Sequence, residues 1–515
     1  MMKKKIPNFL IITFFFLIPL LFTKLSIADN EVTINMSSEP GTLDWNLATD
    51  SSSFLIINNI MKGLTKLNKD LKVENNLADE WYFTDESKII FKLKKGILWS
   101  DNKELKAHHF KDSWERLLNP KTAADYAYFL FDIKNAKEYN SGKIKNFEEV
   151  GIKIINDYII EIDLIEKKTY FPSLMSFMST FPIRKDLISI YKESWVKKEN
   201  LVTLGEFRLI DRKNNSYLLF KNKRNKIVKI IINENSSSSL AMFESGQIDI
   251  LDGGGIPLLE IPYLKAKKIL KTVSQFRNNY IGFNVNKFPF NDPDIRRAFL
   301  YSIDKSVIEK ILQKTVKKTS SWIPEGMLGN RVYINEFNSE KAKKILKDKK
   351  FYQKIKDKKI KFLFPESANN RLIAEVLQDM WKTNIGVDIE VEGLEWKVYL
   401  SKLDTDRPHM FRAGWSADYA DPHNFMNLFT CNSGNNETGW CNENFDNIVR
   451  KASSELDLKI RDRLYKQAQK ILLDKDIVII PLYESDQIYL QSDKIKSVNY
   501  SKLGVLNFSQ IKIKN

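Results

Sequence analysis

Three side chains between Met410 and His423 have the chemistry to bind a small zwitterion together. Arg412 is a cation, Trp415 offers an aromatic wall and Asp418 is an anion. A carboxylate neutralises an ammonium and an arginine pairs with a carboxylate, so this set suits a ligand that carries both charges. The same residues also fit a surface loop in which Trp415 is buried and Asp418 caps a turn, and residue types alone favour that simpler interpretation.

The residues ahead of this segment predict the elements that position it. Residues 359–364 predict a strand, apolar residues recur at helical spacing over 372–381, and residues 387–391 alternate as in a strand. A strand, helix and strand in succession indicate a right-handed parallel crossover. A further strand is predicted over 409–413, which puts Gly414, Trp415 and Asp418 at a carboxyl end, where open α/β sheets bind ligands.

The N-terminus has the pattern of a secretory signal peptide over residues 1–28. Three lysines precede an apolar run over 6–22, and Ser26-Ile-Ala28 forms a small-x-small cleavage site. An uncleaved anchor is the weaker alternative, because prolines interrupt the run. No cysteine lies near the cleavage site, so we expect a soluble periplasmic protein of a double-membraned bacterium and not a lipoprotein.

Composition indicates a large chain of more than one domain. The chain has 515 residues, of which 43% are hydrophobic and 12% aromatic. The net charge is +16 and falls to +12 without the four lysines of the leader. The lysines are scattered along the chain, so we interpret the charge as a solvated surface and expect no nucleic-acid partner.

Cys431 and Cys441 are separated by nine residues. In an oxidising compartment this spacing predicts a disulfide that closes a short loop. A zinc site with His423 as a third ligand is the alternative, but the spacing fits no standard zinc pattern.

The segment Arg-Ala-Gly-Trp-Ser-Ala-Asp-Tyr-Ala-Asp-Pro over 412–422 resembles the extracytoplasmic oligopeptide-binding proteins of peptide ABC importers, extracellular solute-binding protein family 5. In that family an arginine, Gly-Trp and Ala-Asp-Tyr stand in the same order. Further phrases resemble the family in order along the chain from residue 32 to residue 483; they lie at 63–64, 76–81, 89–101, 241–249, 280–284 and 295–305.

The resemblance implies an α/β fold: the two-lobed periplasmic-binding-protein fold (type II, cluster C) with an extra third domain. Two chain crossings between the lobes would form a hinge. The implied boundaries are 29–53, 184–275 and 486–515 for lobe I, 54–183 for the extra domain II, and 276–485 for lobe II.

The resemblance also implies the residues that bind the ligand. Asp418 would take the α-ammonium of a peptide, and Arg412, Arg371 or Lys314 would take its carboxylate. Thr49 and Ser51 would belong to a polar, extended segment over 49–53 that runs beside the peptide. The other implied binding residues are Gly414, Trp415, Ser416, Trp396, Tyr126, Asp252 and Gly253.

Two departures from the family make the cleft more polar. Asp252 and Gly253 stand where peptide binders often have a tyrosine and an asparagine, and Glu484-Ser485 follow Tyr483 where relatives are more aromatic. This predicts a preference for peptides with a basic or diamino-acid residue, including cell-wall peptides.

The implied partners are an oligopeptide and an inner-membrane ABC permease, and the protein is expected to be a monomer without cofactor or metal. One alternative keeps the fold and changes the cargo to a murein peptide, dipeptide, nickel chelate or haem. A secreted peptidase is the other. Against it, the chain has four histidines and no Gly-x-Ser-x-Gly or His-Glu-x-x-His motif, and the pair His108 and His109 is expected at the surface.

Overall fold

The structure is a computed structural model that describes residues 30–68, 71–85, 87–331, 333, 337–355, 359–431 and 433–514. The predicted signal peptide lies outside the described residues. Within those ranges, no helix combines the length and the apolar character needed to cross a membrane.

The elements of the first part of the chain precede residue 184. They are β1 (Glu31–Met36), α1 (Ser51–Ile60), β2 (Thr65–Leu67), β3 (Val73–Asn75), β4 (Ala78–Phe83), β5 (Lys88–Leu93), α2 (His108–Leu118), α3 (Ala136–Asn140), β6 (Ile152–Asn156), β7 (Ile159–Asp163) and α4 (Phe171–Leu174).

The elements of the middle part end with a strand of 13 residues. They are α5 (Lys185–Tyr191), β8 (Phe207–Lys213), β9 (Tyr217–Asn222), β10 (Ile227–Ile232), α6 (Ser236–Glu244), β11 (Ile250–Asp252), α7 (Ile261–Ala266) and β12 (Lys271–Phe283).

The last part of the chain contains a second strand of 13 residues, β17. Its elements are α8 (Pro293–Tyr301), α9 (Lys305–Ile311), β13 (Val316–Lys318), α10 (Ser339–Asp348), α11 (Phe351–Lys354), β14 (Ile360–Pro365), α12 (Ala368–Ile385), β15 (Ile389–Leu394), α13 (Trp396–Thr405), β16 (Met410–Ser416), α14 (His423–Met426), α15 (Glu443–Ser454), α16 (Leu458–Lys470), β17 (Ile479–Gln491), β18 (Ile495–Ser497) and β19 (Lys512–Ile513).

Eleven of these strands form one mixed sheet in the order β15-β14-β16-β12-β17-β11-β1-β10-β9-β8, with β13 beside β17. The long strands β12 and β17 pair antiparallel and connect the two halves of this sheet. Their register shifts between Ser274 and Asn278, which is a β-bulge or a similar irregularity. Strands β4, β5, β7 and β6 form a separate antiparallel sheet, and its apolar core is continuous with that of β1 and β8 to β10.

The predicted parallel crossover is confirmed. β14 and β15 are parallel with Phe362 opposite Val391, and α12 connects them. The helix begins where Ser367 Oγ accepts the N–H of Asn370, and it ends at Gly386, whose φ of 66° favours glycine. The crossover holds β14 parallel to β16 as well.

The strand predicted over 409–413 is longer than expected and runs through Ser416, so Gly414 and Trp415 lie within it and not beyond its end. Glycine usually weakens a strand, but here β12 pairs with β16 as far as Arg277 opposite Ser416. A Cβ on Gly414 would lie 3.0 Å from Asn279 Oδ1 and 3.2 Å from the carbonyl of Asn278, so a larger residue here would have to displace its neighbours.

The predicted extended segment over 49–53 is wrong, because α1 begins at Ser51. Asp50 caps this helix: its Oδ1 accepts the N–H of Ser53 at 2.8 Å. Thr49 and Ser51 are exposed beside this cap.

The prediction that His108 and His109 both lie at the surface is wrong for His109, which is buried and accepts the N–H of Lys106 at Nδ1.

Candidate functional site

The last residues of β16 leave one edge of this strand open. β14 pairs with β16 at Met410 and Phe411, whereas β12 pairs with it through Ser416. The N–H of Ala417 donates to the carbonyl of Phe276 on β12, so by antiparallel alternation Gly414 and Ser416 direct their backbone groups to the opposite edge. Both residues are exposed. This edge therefore offers backbone hydrogen bonds to an extended chain.

Asp418 follows two residues after β16. Its carboxylate accepts only long hydrogen bonds, from Asn424 Nδ2 at 3.4 Å and from the Tyr126 hydroxyl at 3.5 Å. In the described part of the chain, no lysine, arginine or histidine forms an ion pair with it. Part of the side chain reaches solvent, but burial among the surrounding atoms raises its pKa from 3.8 to about 7. The ionised carboxylate lacks a counter-charge.

Tyr126, which contacts this carboxylate, is packed among other aromatic rings. Tyr126 lies on a 3-10 turn over Asp125–Leu130, and its ring centroid is 4.9 Å from that of Phe177 and 6.0 Å from that of Phe54. Burial and the charge of Asp418 raise the pKa of the Tyr126 hydroxyl, which therefore stays protonated and can donate. The structure brings Tyr126 and Asp418 together although 291 residues separate them in the chain.

Arg412 lies buried on the same face of β16 as Gly414. Its Nη2 donates to Asn279 Oδ1 at 3.2 Å and to the hydroxyl of Tyr483, and its buried Nε has no hydrogen-bond partner. Its carbonyl accepts the hydroxyl of Tyr399 at 2.7 Å, which fixes the strand at this point. Among the described residues, no carboxylate forms an ion pair with this guanidinium.

Asp252 and Gly253 lie at the end of β11, in the other half of the sheet. Asp252 Oδ1 accepts Gln487 Nε2 at 2.7 Å, and Gln487 Oε1 accepts Gln275 Nε2 at 2.9 Å. Burial raises the pKa of Asp252. A Cβ on Gly253 would lie 2.9 Å from the Ile488 side chain and 3.0 Å from its carbonyl, so this position needs a glycine.

Glu484 and Ser485 differ in their environments. Glu484 accepts the backbone N–H of Glu325 at 3.1 Å, and burial raises its pKa to about 7. Ser485 Oγ accepts Asn279 Nδ2 at 2.9 Å, next to Arg412. The carboxylate of Glu484 therefore already binds a backbone amide of the protein.

The two predicted aromatic walls are placed differently. Trp415 is half-buried, and its Nε1 donates to Asn424 Oδ1 at 2.8 Å, the same oxygen that accepts the N–H of Asp418. Trp396 begins α13 with 56% of its surface exposed and stacks on Tyr399. Trp415 therefore supports the Asp418 loop, and Trp396 remains open to a ligand.

The remaining predicted cations, Arg371 and Lys314, are exposed. Arg371 lies in the first turn of α12 and forms an ion pair with Glu366 at 2.5 Å, so its charge is already neutralised. The carbonyl of Lys314 accepts Lys265 Nζ at 2.9 Å, a contact between the α9–β13 connection and α7.

Two residues near the site, Arg277 and Asn279 on β12, were not predicted from the sequence. Arg277 lies directly opposite Ser416 and Asn279 opposite Gly414, so both lie beside the end of β16, on the strand that pairs with its other edge. Residues 280–284 of this strand resemble a family phrase, whereas residues 275–279 are mostly polar and match none. The alternation of Gln275, Arg277 and Asn279 was the signal for a polar strand face.

The predicted disulfide between Cys431 and Cys441 is confirmed. The alternative zinc site is therefore wrong, since both sulfurs are bonded to each other. His423, its third proposed ligand, is buried, with its Nδ1 2.8 Å from the Tyr419 hydroxyl, and it stacks on Tyr170. In the described ranges, no group of three or more His, Cys, Asp or Glu could hold a metal.

Comparison with known proteins shows the family of the chain. The model of the bacterial extracellular solute-binding proteins, family 5 Middle, matches residues 72–437. The chain is 30% identical over 505 residues to the oligopeptide-binding protein OppA of Bacillus subtilis, with 93% of this chain and 91% of the relative covered.

Solved structures of two peptide-binding proteins resemble this chain over nearly its whole length. Haemophilus influenzae OppA in complex with the peptide RPPGFSPFR has a TM-score of 0.80 and 25% identity, and the Escherichia coli murein tripeptide-binding protein MppA has a TM-score of 0.81 and 25% identity. In both comparisons 95% of this chain and 99% of the other chain are covered. The predicted α/β two-lobed periplasmic-binding-protein fold of type II is confirmed. The chain belongs to the bacterial extracellular solute-binding proteins of family 5.

Proposed function

We propose that this chain is the substrate-binding component of a peptide ABC importer: it captures oligopeptides in the periplasm and delivers them to an inner-membrane permease. The observation that carries the proposal is the carboxylate of Asp418. It is largely desolvated, its hydrogen bonds are long, and it has no cation partner in the described part of the chain.

An α-ammonium is the counter-charge that this carboxylate lacks. A charged hydrogen bond in a desolvated site is about twice as strong as a neutral one. The hydroxyl of Tyr126 and the amide of Asn424 hold the carboxylate of Asp418 in position through hydrogen bonds. The carboxylate can therefore accept the ligand's ammonium without moving. A cargo without an ammonium gains nothing from this group, which favours a peptide over a nickel chelate or haem.

The backbone of the ligand would bind along the open edge of β16. An importer for many peptides has to recognise what all of them share, and a strand edge does this through main-chain hydrogen bonds. Gly414 and Ser416 supply such groups next to Asp418, and their small side chains leave room for those of the ligand. The exposed ring of Trp396 would form part of a side-chain pocket.

Arg412 is the cation that we assign to the terminal carboxylate. Its guanidinium is buried without an ion-pair partner among the described residues, and its Nε has a free donor. Arg371 is a weaker candidate than the sequence suggested, because Glu366 already pairs with it. Lys314 remains a candidate for longer peptides.

The proposed lobes are those implied by the sequence: lobe I with 29–53, 184–275 and 486–515, lobe II with 276–485, and domain II with 54–183. β12 and β17 would form the hinge, since they connect the two halves of the sheet and shift register between Ser274 and Asn278. We further propose cleavage of the signal after Ala28, a monomeric periplasmic protein and no lipid anchor.

No catalytic role is proposed. The relatives are solute-binding proteins. The ring nitrogens of His109 and His409 accept backbone N–H groups, and His423 contacts a tyrosine hydroxyl. These environments differ from that of a histidine that activates a nucleophile.

Calorimetric titration with a peptide and its N-acetylated form tests the proposal. We expect Ala-Gln-Ala to bind about 30- to 4000-fold more tightly than N-acetyl-Ala-Gln-Ala, because acetylation leaves Asp418 without its partner. Equal affinities would refute the assignment. Mass spectrometry of ligands that co-purify from the periplasm tests the cargo class independently, and recovery of non-peptide cargo alone would contradict it.

A further inference from the structure

Arg277 is an exposed cation beside the proposed site, with no ion-pair partner in the described part of the chain. It lies on β12 directly opposite Ser416, and the alternation of the two strands puts Arg277, Asn279, Gly414 and Arg412 on one face. Arg212, by comparison, pairs with Glu39 at 2.6 Å. Because Arg277 has no such partner among the described residues, its guanidinium can form an ion pair with a ligand.

The surroundings of Arg277 combine desolvation with a second positive charge, that of Arg412. Its side chain is exposed, yet desolvation by the surrounding protein lowers its pKa, and the charge of Arg412 adds to this effect. The Tyr483 hydroxyl has the opposite effect and raises the pKa of Arg277. No described carboxylate neutralises the pair of arginines, so this part of the cleft favours an anion.

The position relative to Asp418 limits which part of a ligand Arg277 can meet. Asp418 is two residues beyond Ser416, at most about 7 Å along the chain, and neighbouring strands are about 4.8 Å apart. A peptide on the open edge of β16 would lie two strand spacings from β12, about 10 Å. The Arg277 side chain can extend over the small side chain of Ser416 toward the peptide and cover part of this distance. An acidic side chain of the peptide would cover the rest and reach the guanidinium.

Resting on the proposed function, we infer that Arg277 is a specificity residue that binds a second carboxylate of the ligand: an acidic side chain on one of its first two residues. Arg412 takes the terminal carboxylate, so the two arginines read different groups. A planar guanidinium binds a carboxylate through two parallel hydrogen bonds. This predicts selectivity for acidic residues near the amino end, which the sequence did not suggest.

The test compares Arg277→Gln with wild type in calorimetric titrations at low ionic strength. The ligands are Glu-Ala-Ala and Ala-Glu-Ala, their glutamine counterparts, and the C-terminally amidated form of each. We expect the variant to bind the preferred acidic peptide about 10- to 150-fold more weakly and its glutamine counterpart less than about threefold more weakly. Arg277→Lys should recover part of the loss, because it keeps the charge without the fork.

Arg208→Gln is the matched control, since Arg208 is exposed on β8, at the far edge of the same sheet. Thermal melts should show that both variants fold. Equal losses for acidic and glutamine peptides, or no loss, would overturn the inference, and a loss that disappears on amidation would assign Arg277 to the terminal carboxylate instead. If wild type bound none of these peptides, the proposed function itself would fail; if it bound them through Asp418 without discrimination by Arg277, only this inference would.

Discussion

Replacing Asp418 by asparagine should stabilise the empty protein and weaken its binding of peptides. The amide keeps the shape of the carboxylate: its oxygen can accept from Asn424 Nδ2, and its NH₂ can donate to the hydroxyl of Tyr126. The variant therefore removes the charge and retains the contacts. A residue that served only the fold would show loss of stability instead.

The magnitude follows from the pKa of Asp418. A rise from 3.8 to about 7 corresponds to about 4 kcal/mol at about 1.36 kcal/mol per pKa unit, and partial exposure reduces this to about 2 to 4 kcal/mol. Because the folded pKa lies above the unfolded one, the destabilisation is absent below about pH 4, grows between pH 4 and 7, and is complete above pH 7. We expect Asp418→Asn to raise the free energy of unfolding by that amount at pH 8 and to leave it unchanged at pH 4.

Urea unfolding of ligand-free protein at the two pH values measures this effect, with a raised midpoint and an unchanged m-value at pH 8. Titration of the same variant with Ala-Gln-Ala should show affinity weakened about 30- to 4000-fold. Asp421→Asn is the matched control three residues along. Asp421 is buried and paired with Arg461 at 2.8 Å, so its loss should destabilise by about 3 to 5 kcal/mol. Destabilisation by Asp418→Asn at pH 8, or the same gain at pH 4, would refute the reasoning.

Three further outcomes are expected. Wild-type affinity for Ala-Gln-Ala in calorimetry should be highest between about pH 7 and 8 and fall about tenfold per pH unit below that range, because Asp418 must lose its proton to pair with the ammonium; a flat profile would contradict this. Replacement of Cys431 and Cys441 by serine should lower the urea-derived free energy of unfolding by about 3 kcal/mol, and an unchanged midpoint would contradict a stabilising loop closure. Gly414→Ala should destabilise by about 1 to 3 kcal/mol, because its methyl group would lie 3.0 Å from Asn279 Oδ1, whereas Gly434→Ala, which meets no atom within 4 Å, should change little in the same urea assay.

The crossover around α12 was predictable because its signals are local. The helical spacing of apolar residues is unambiguous, and Gly386 ends the helix through its own backbone preference. The end of β16 was not predictable in this way. Gly414 is a strand breaker by propensity, and only its pairing opposite Asn279 extends the strand to Ser416.

The start of α1 shows the same limit at short range. Thr49 to Ser53 is polar, which fits an extended edge, but a cap depends on where the carboxylate of Asp50 points. Arg277 illustrates the limit at long range. It is 139 residues from Ser416 in the chain, so its place beside the site follows from strand pairing and not from any local pattern.

The proposed contacts of Asp418 with the ligand's ammonium and of Arg412 with its carboxylate have the same physical cause and opposite charges. Asp418 and Arg412 are each desolvated or buried without a counter-charge in the described structure, and leaving a buried charge unpaired is unfavourable. A ligand with a free ammonium and a free carboxylate relieves both at once, whereas an alkylamine or an amidated peptide relieves one. Recognition of both ends therefore requires no fit to the side chains between them, and selectivity among peptides is left to groups such as Arg277 and Trp396 that lie beside the main chain of the ligand.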